Sequence, residues 1–252
     1  MSDLNSPSHF KGKEALDHVV EAQVEGLMAS TEIHGEEMPG HVSAATDAAR
    51  ETALLLLLGW IILSLGHFSP LQNLQILGIV ALAWMIWKAG RSAWLGWSRL
   101  ERLHRVLKQE KWEIEHNRAQ ERSELADLYA AKGFEGQLLE DVLDVLMADG
   151  DRLLRVMVEE ELGLSLEKTE HPLKQGLGAL LGVSFSAALC LLCEFLFPGY
   201  GLPFGSFLIG GAAAAYAARQ IGNQLIPAVV WTLGLFALSA GSLFFLMQYV
   251  LR

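Results

Sequence analysis

The chain has 252 residues, of which 52% are hydrophobic and 19% are charged, and its mean hydropathy is +0.30. This composition is too apolar for an ordinary soluble domain and indicates a membrane protein. The formal charge of −10 argues against a nucleic-acid-binding surface, and two cysteines in one apolar stretch are too few for a disulfide framework.

The N-terminal part is polar and gives way to an uncharged stretch. Residues 1–50 are predicted to be a cytosolic segment with one amphipathic helix, whose apolar residues recur at helical spacing: Leu16, Val19, Val20, Val24, Leu27 and Met28. Residues 52–87 carry no charge and are interrupted by Ser69-Pro70. The sequence therefore predicts transmembrane helices 1 and 2 within 51–93, with spans near 52–68 and 71–90.

The middle of the chain, residues 94–172, is predicted to be a helical acidic domain. No glycine or proline occurs between Gly96 and Gly133, and leucines recur at helical spacing, so the second span should continue as a helix beyond the membrane. Further helix ends are predicted near Asn117, at Lys132-Gly133, at Asp149-Gly150 and at Gly163. A domain this small would bury its core more readily if paired with a second copy.

Residues 173–252 are predicted to contain transmembrane helices 3 to 5, in the apolar stretches 176–193, 204–218 and 220–251. Lysine and arginine are concentrated before the first span and between the second and third, whereas the turns near Pro70 and Pro198 have none. The positive-inside rule then places the N-terminus and the acidic domain in the cytosol and the C-terminus on the opposite side.

Carboxylates are the dominant chemistry of the middle domain, which carries eighteen acids between residues 101 and 170. Glu110 with Glu113, and Glu121 with Glu124, stand three residues apart, so each pair should share a helix face. Met157 should place a thioether beside Glu160 and Glu161. Carboxylates suit Mg²⁺, Ca²⁺ and Mn²⁺, and an added sulfur favours Fe²⁺ or another transition metal.

Two other interpretations of these residues remain open on spacing alone. The acids can form a solvated face, with Lys111 pairing Glu115 and Arg118 pairing Glu121, while Met157 packs in the core. Cys190, Cys193 and Glu194 could form a second metal site. Cysteines also pack as small apolar residues, however, and a glutamate side chain can extend to the membrane interface.

The sequence ERSELADLYAAKGF at 121–134, followed by LMAD at 146–149 and MVEEELGL at 157–164, resembles the cytosolic domain of the vacuolar iron transporter family. The resemblance implies an all-α membrane protein with five transmembrane helices, a cytosolic helical metal-binding domain between helices 2 and 3, and assembly as a homodimer. In that family the domain binds Fe²⁺, and often Mn²⁺ or Zn²⁺, through glutamates and a methionine. The matching residues here are Glu110, Glu113, Glu121, Glu124, Met157 and Glu161, with Glu160 beside them.

The membrane half departs from the pattern of that family. Its first span carries an Asp-Gly motif after an arginine, whereas Leu58-Gly59 follows Arg50 here. Its second span ends in Ser-Met followed by Gly-Glu-Tyr, whereas residues 92–97 read SAWLGW, with neither methionine nor glutamate. Polar groups in a bilayer core are costly and usually functional, so their loss bears directly on transport.

These observations predict a proton-coupled transporter that exports Fe²⁺ or Mn²⁺ from the cytosol across a bacterial inner membrane or an organelle membrane. The alternative is a relative that cannot transport and acts as a membrane-bound metal sensor, buffer or scaffold. Lipid and a second copy of the chain are the expected partners, with no nucleic acid and no organic cofactor. An enzyme is not expected, because phosphate loops, nucleophile motifs and His-Glu zinc signatures are lacking.

Overall fold

The computed structural model describes residues 38–66, 68–161 and 170–251, and in these ranges it contains helices and no strands. The elements are α1 Gly40–Leu65, α2 Pro70–His116, α3 Arg118–Ala131, α4 Gly136–Met147, α5 Gly150–Val156, a π-helical turn Met157–Glu161, α6 Pro172–Leu196, α7 Gly201–Gln220 and α8 Leu225–Val250. The predicted all-α class is confirmed for this part of the chain.

Five of these helices, α1, α2, α6, α7 and α8, are long and apolar enough to cross a bilayer. They occur as two before and three after the short helices α3 to α5, which is the predicted order. Length and composition together indicate a multi-pass integral membrane protein.

Helix α2 has 47 residues and would be about 70 Å long at 1.5 Å per residue, more than twice the thickness of a bilayer core. It begins with a capping box: Gln72 N–H donates to Ser69 Oγ at 3.3 Å, and Ser69 N–H donates to Gln72 Oε1 at 3.1 Å. Its first half is apolar and its second half charged. The prediction that the second span continues as one helix is confirmed.

Helix α1 begins at Gly40, well before the span predicted to start near 52. The polar residues 40–50, predicted to belong to the N-terminal segment, are its first turns. The charged residues in this part of α1 form ion pairs: Arg50 contacts Asp47, and Lys88 Nζ lies 2.7 Å from Glu51 Oε2. The amphipathic helix predicted at 16–28 lies outside the described residues.

Helices α1 and α6 pack closely through a stripe of small residues. A Cβ atom at Gly178 would overlap the backbone of His41, and one at Gly182 would overlap that of Ala45. One turn further along, Ser186 Oγ donates to the carbonyl of Ala49 at 2.9 Å. Small residues at this spacing let two helix backbones approach closely, as is common in membranes.

The helices inserted between α2 and α6 have a hydrophobic cluster of their own. Its buried residues come from α2, from α3 to α5 and from the π-helical turn: Ile114, Leu125, Leu143, Leu153 and Met157. Helix ends fall close to the predicted positions, at His116, Ala131 and Met147. The predicted end at Gly163 lies outside the described residues.

Candidate metal site

The candidate site forms where the chain turns between α2 and α3. Glu110 lies near the end of α2 and Glu121 in the first turn of α3. In one uninterrupted helix, eleven residues would separate them by about 16 Å. Asn117 interrupts the helix with φ −124° and ψ 35°, and this turn brings the two carboxylates together.

Three carboxylates meet at this turn. One oxygen from each of Glu110, Glu113 and Glu121 lies within 4.8 Å of the other two. Glu110 and Glu121 are 7% and 2% exposed, whereas Glu113 is half-buried and accepts a hydrogen bond from Gln109 Nε2 at 3.1 Å. We call these three residues the glutamate cluster.

The electrostatics of the glutamate cluster favour a bound cation or proton. Two full negative charges 4 to 5 Å apart repel by roughly 3 to 4 kcal/mol at an effective dielectric of about 20. Burial adds a desolvation cost to each ionised carboxylate. A divalent cation would reduce both costs while accepting the oxygen ligands that Mn²⁺ and similar ions prefer. A merely solvated acidic face does not describe Glu110 and Glu121.

The guanidinium groups of Arg118 and Arg122 contact residues of α4. Arg122 binds Asp144 Oδ1 at 2.8 Å and Glu140 Oε2 at 2.6 Å, and the hydrogen bonds to Asp144 and then Glu140 raise the pKa of Arg122. Arg118 donates to the carbonyl oxygen of Met147. These contacts join α3 to α4.

Of the other predicted ligands, Glu124 is not one of the three clustered carboxylates. Glu124 is half-buried, and its Oε1 accepts a hydrogen bond from Gln120 Nε2 at 2.9 Å. Met157 is 1% exposed and belongs to the apolar cluster of the inserted helices. The backbones of Glu160 and Glu161 lie in the π-helical turn, and their side chains are outside the described part of the structure. A π-helical turn often marks a functional position.

The alternative metal group in α6 has a different explanation. Glu194 is 3% exposed and accepts three hydrogen bonds, from Trp60 Nε1 at 3.0 Å, from Gly199 N–H at 3.0 Å and from Leu202 N–H at 2.9 Å. It therefore joins α6 to α1, to the turn before α7 and to the first turn of α7. Cys190 is buried in the membrane-helix core, with its Sγ 3.7 Å from Ser206 Oγ.

The contacts of Lys88 and Glu170 with α1 were not predicted from the sequence. Lys88 is 6% exposed and pairs with Glu51, and Glu170 binds the start of α1. His41 N–H donates to Glu170 Oε2 at 2.8 Å, and His41 Nδ1 lies 2.5 Å from Oε1. In the sequence, each of these residues is a charge at the edge of an apolar stretch. That position does not reveal which residue of another helix it contacts.

The profile of the VIT family matches residues 94–246, more than half of the chain. The chain belongs to the VIT family. This is a family of membrane transporters, and membership suggests metal-ion transport at the level of the family. The comparison with curated proteins gave no match.

The range matched by the VIT family contains the glutamate cluster, all of α3 to α7 and most of α8. It does not contain α1 or the apolar first half of α2. Leu58, which stands in place of an expected acid, therefore lies in the unmatched part. The family match confirms the resemblance that the sequence of the inserted helices suggested.

Proposed function

We propose that this VIT family member is a transporter that moves Fe²⁺ or Mn²⁺ out of the cytosol. The inserted helices would bind the ion first. The observation that carries the proposal is the glutamate cluster, in which two of three converging carboxylates are almost fully buried. Ion capture there would raise the local concentration of metal near the membrane helices. Export in exchange for protons would supply a driving force.

The metal is written here as the transported substrate. Glu110, Glu113 and Glu121 supply oxygen ligands, and the proposal adds Glu124, Met157, Glu160 and Glu161 as further candidates. A site of carboxylates alone suits Mn²⁺, and a thioether would shift the preference toward Fe²⁺. Zn²⁺ is a third candidate for the same ligands.

The proposed topology follows the distribution of basic residues. The N-terminus and α3 to α5 lie in the cytosol, and the C-terminus lies on the opposite side of a bacterial inner membrane or an organelle membrane. We also propose a homodimer, because the inserted helices form only a small core and pairing would bury more of their apolar surface.

A second candidate function is a membrane-bound metal sensor, buffer or scaffold. Leu58 and residues 92–97 lack the carboxylates that the family resemblance leads one to expect in the first two spans. Two acids of the membrane-length helices already have partners: Glu51 pairs with Lys88, and Glu194 accepts three hydrogen bonds. A protein of this kind would bind metal without moving it.

Equilibrium binding of Mn²⁺ to the purified full-length chain tests the capture site common to both functions. Glu110→Gln with Glu121→Gln should weaken binding at least about tenfold, a loss of ~1.4 kcal/mol. Glu115→Gln with Asp127→Asn is the matched control, because it removes two exposed carboxylates from the same helices. An equal loss in the control would show diffuse electrostatic attraction instead of a site. Uptake into sealed vesicles then separates a transporter from a sensor.

A further inference from the structure

A polar cavity of about 180 Å³ lies between α1, α2 and α6, apart from the glutamate cluster. Helix α1 lines it from Gly40 to Glu51, α2 from Lys88 to Arg99, and α6 with Gln175 and Ala179. It lies where α2 leaves the apolar part of the bundle toward the inserted helices and where α6 enters it. In a membrane, this level corresponds to the headgroup region on the side rich in lysine and arginine.

Five charged side chains line the cavity, and the two acids among them have partners. Glu51 binds the ammonium of Lys88 at 2.7 Å, and Asp47 binds Arg50, which does not line the cavity. Arg91 and Arg99 also line it. No ion pair or hydrogen bond joins either guanidinium to another residue in the described ranges. The cavity therefore presents an excess of positive charge.

Two side chains in the wall are more than nine-tenths buried. Lys88 is 6% exposed and Gln175 is 8% exposed. Ser92 Oγ donates to the carbonyl of Gln175 at 3.2 Å, so the polar wall joins α2 to α6. The cavity is thus part of the packed interface among three helices, with the two arginines on its rim.

We propose that this cavity binds a phosphate group, with Arg91 and Arg99 as its principal ligands. The planar guanidinium group matches phosphate oxygens in pairs of parallel hydrogen bonds. Basic pockets between transmembrane helices on the cytoplasmic side bind anionic lipid headgroups for the same reason. A divalent cation is disfavoured there because Lys88 already neutralises Glu51 and both arginines would repel it.

The test is the thermal unfolding of the full-length chain in neutral detergent at fixed ionic strength. Phosphatidylglycerol, phosphatidylcholine and inorganic phosphate are added separately, with chloride as the reference anion. We expect the anionic lipid to raise the midpoint above that with phosphatidylcholine. A rise with phosphatidylglycerol alone identifies a lipid headgroup, and a rise with inorganic phosphate identifies a site for the free anion as well.

Variants assign the effect to the cavity. Arg91→Gln with Arg99→Gln should lose most of the rise, whereas Arg102→Gln with Arg105→Gln, exposed arginines of α2 outside the cavity, should keep it. Arg91→Lys with Arg99→Lys keeps the charge if the glutamine variant does not fold, and it should lose part of the rise. Equal effects of the two lipids without a phosphate effect, or equal losses in both glutamine variants, would overturn the proposal.

Discussion

At the scale of single residues, the decisive feature is the burial of two carboxylates beside a third. In chelator, Glu121→Gln should raise the free energy of unfolding by on the order of 1 kcal/mol, because it removes like-charge repulsion. Saturating Mn²⁺ should stabilise the wild type by about 2.7 kcal/mol at one hundred times the dissociation constant, and the variant much less. Thermal unfolding with and without metal measures both effects. Destabilisation of the variant in chelator would contradict this account of the cluster.

Met157 allows packing and metal binding to be separated. Met157→Leu keeps a similar volume in the apolar cluster and should cost less than about 1.5 kcal/mol, whereas Met157→Ala should cost roughly 2 to 5 kcal/mol. If the thioether is also a ligand, the leucine variant should bind Fe²⁺ more weakly and Mn²⁺ almost normally. Unfolding curves and binding isotherms of the two variants give the comparison. Unchanged Fe²⁺ affinity in the leucine variant would limit Met157 to packing.

Glu170 gives the structure a specific acid dependence. Burial alone would raise the pKa of Glu170, but hydrogen bonds from the His41 side chain, the His41 backbone and Lys174 outweigh it and lower the pKa below its ordinary value of 4.5. The stabilisation is therefore present above pH 4.5 and is lost as the pH falls through the lowered pKa. The stability difference between wild type and Glu170→Gln should be constant at neutral pH and shrink in acid. If the stability difference between wild type and Glu170→Gln grew in acid, the pKa of Glu170 would be raised and not lowered.

The sequence predicts that the site consists of carboxylates, but it does not predict which glutamates come together. Spacing places Glu121 and Glu124 on one face of α3, yet only Glu121 joins the cluster, because the turn at Asn117 decides which part of that face meets α2. Periodicity within a helix contains no information about the angle between two helices. Lys88 likewise directly follows the uncharged residues 52–87, but the sequence does not reveal that its partner is Glu51 on a different helix.

At the scale of the helices, we expect stability to be sensitive to substitutions where α1 packs closely on α6. Gly182→Ala would place a methyl group against the backbone of Ala45, which cannot move as freely as a side chain. We expect a loss of roughly 1 to 3 kcal/mol, the usual cost of overpacking. Gly78→Ala on α2 is the control, since a Cβ there meets no atom within 4 Å. Equal unfolding midpoints for the two variants would contradict the close packing of α1 on α6.

Helix positions were more predictable than helix ends. Uncharged stretches correctly indicated the five long helices, because a bilayer requires apolar length. The start of α1 was placed too late, since Asp47, Arg50 and Glu51 interrupt the apolar pattern without interrupting the helix. The π-helical turn at Met157 was not predicted, because one added residue per turn leaves no distinct pattern in composition.

At the scale of the whole molecule, α2 physically connects the two halves. Its residues line the phosphate-site cavity at Lys88 and the glutamate cluster at Glu110 within one continuous helix. Helix α8, in contrast, is apolar and buries little of its surface within the chain, as expected for a helix that faces lipid or a second copy. The family match covers the inserted helices and most of the membrane helices that follow them, but it does not cover the first span.

Uptake of Mn²⁺ into sealed proteoliposomes containing the purified full-length chain tests the proposed export most directly. We expect saturable uptake by the wild type, strongly reduced uptake by Glu110→Gln with Glu121→Gln, and normal uptake by Glu115→Gln with Asp127→Asn. Protein-free liposomes provide the background for passive leakage. Wild-type protein that binds Mn²⁺ but gives only background uptake would contradict transport and favour the sensor, buffer or scaffold.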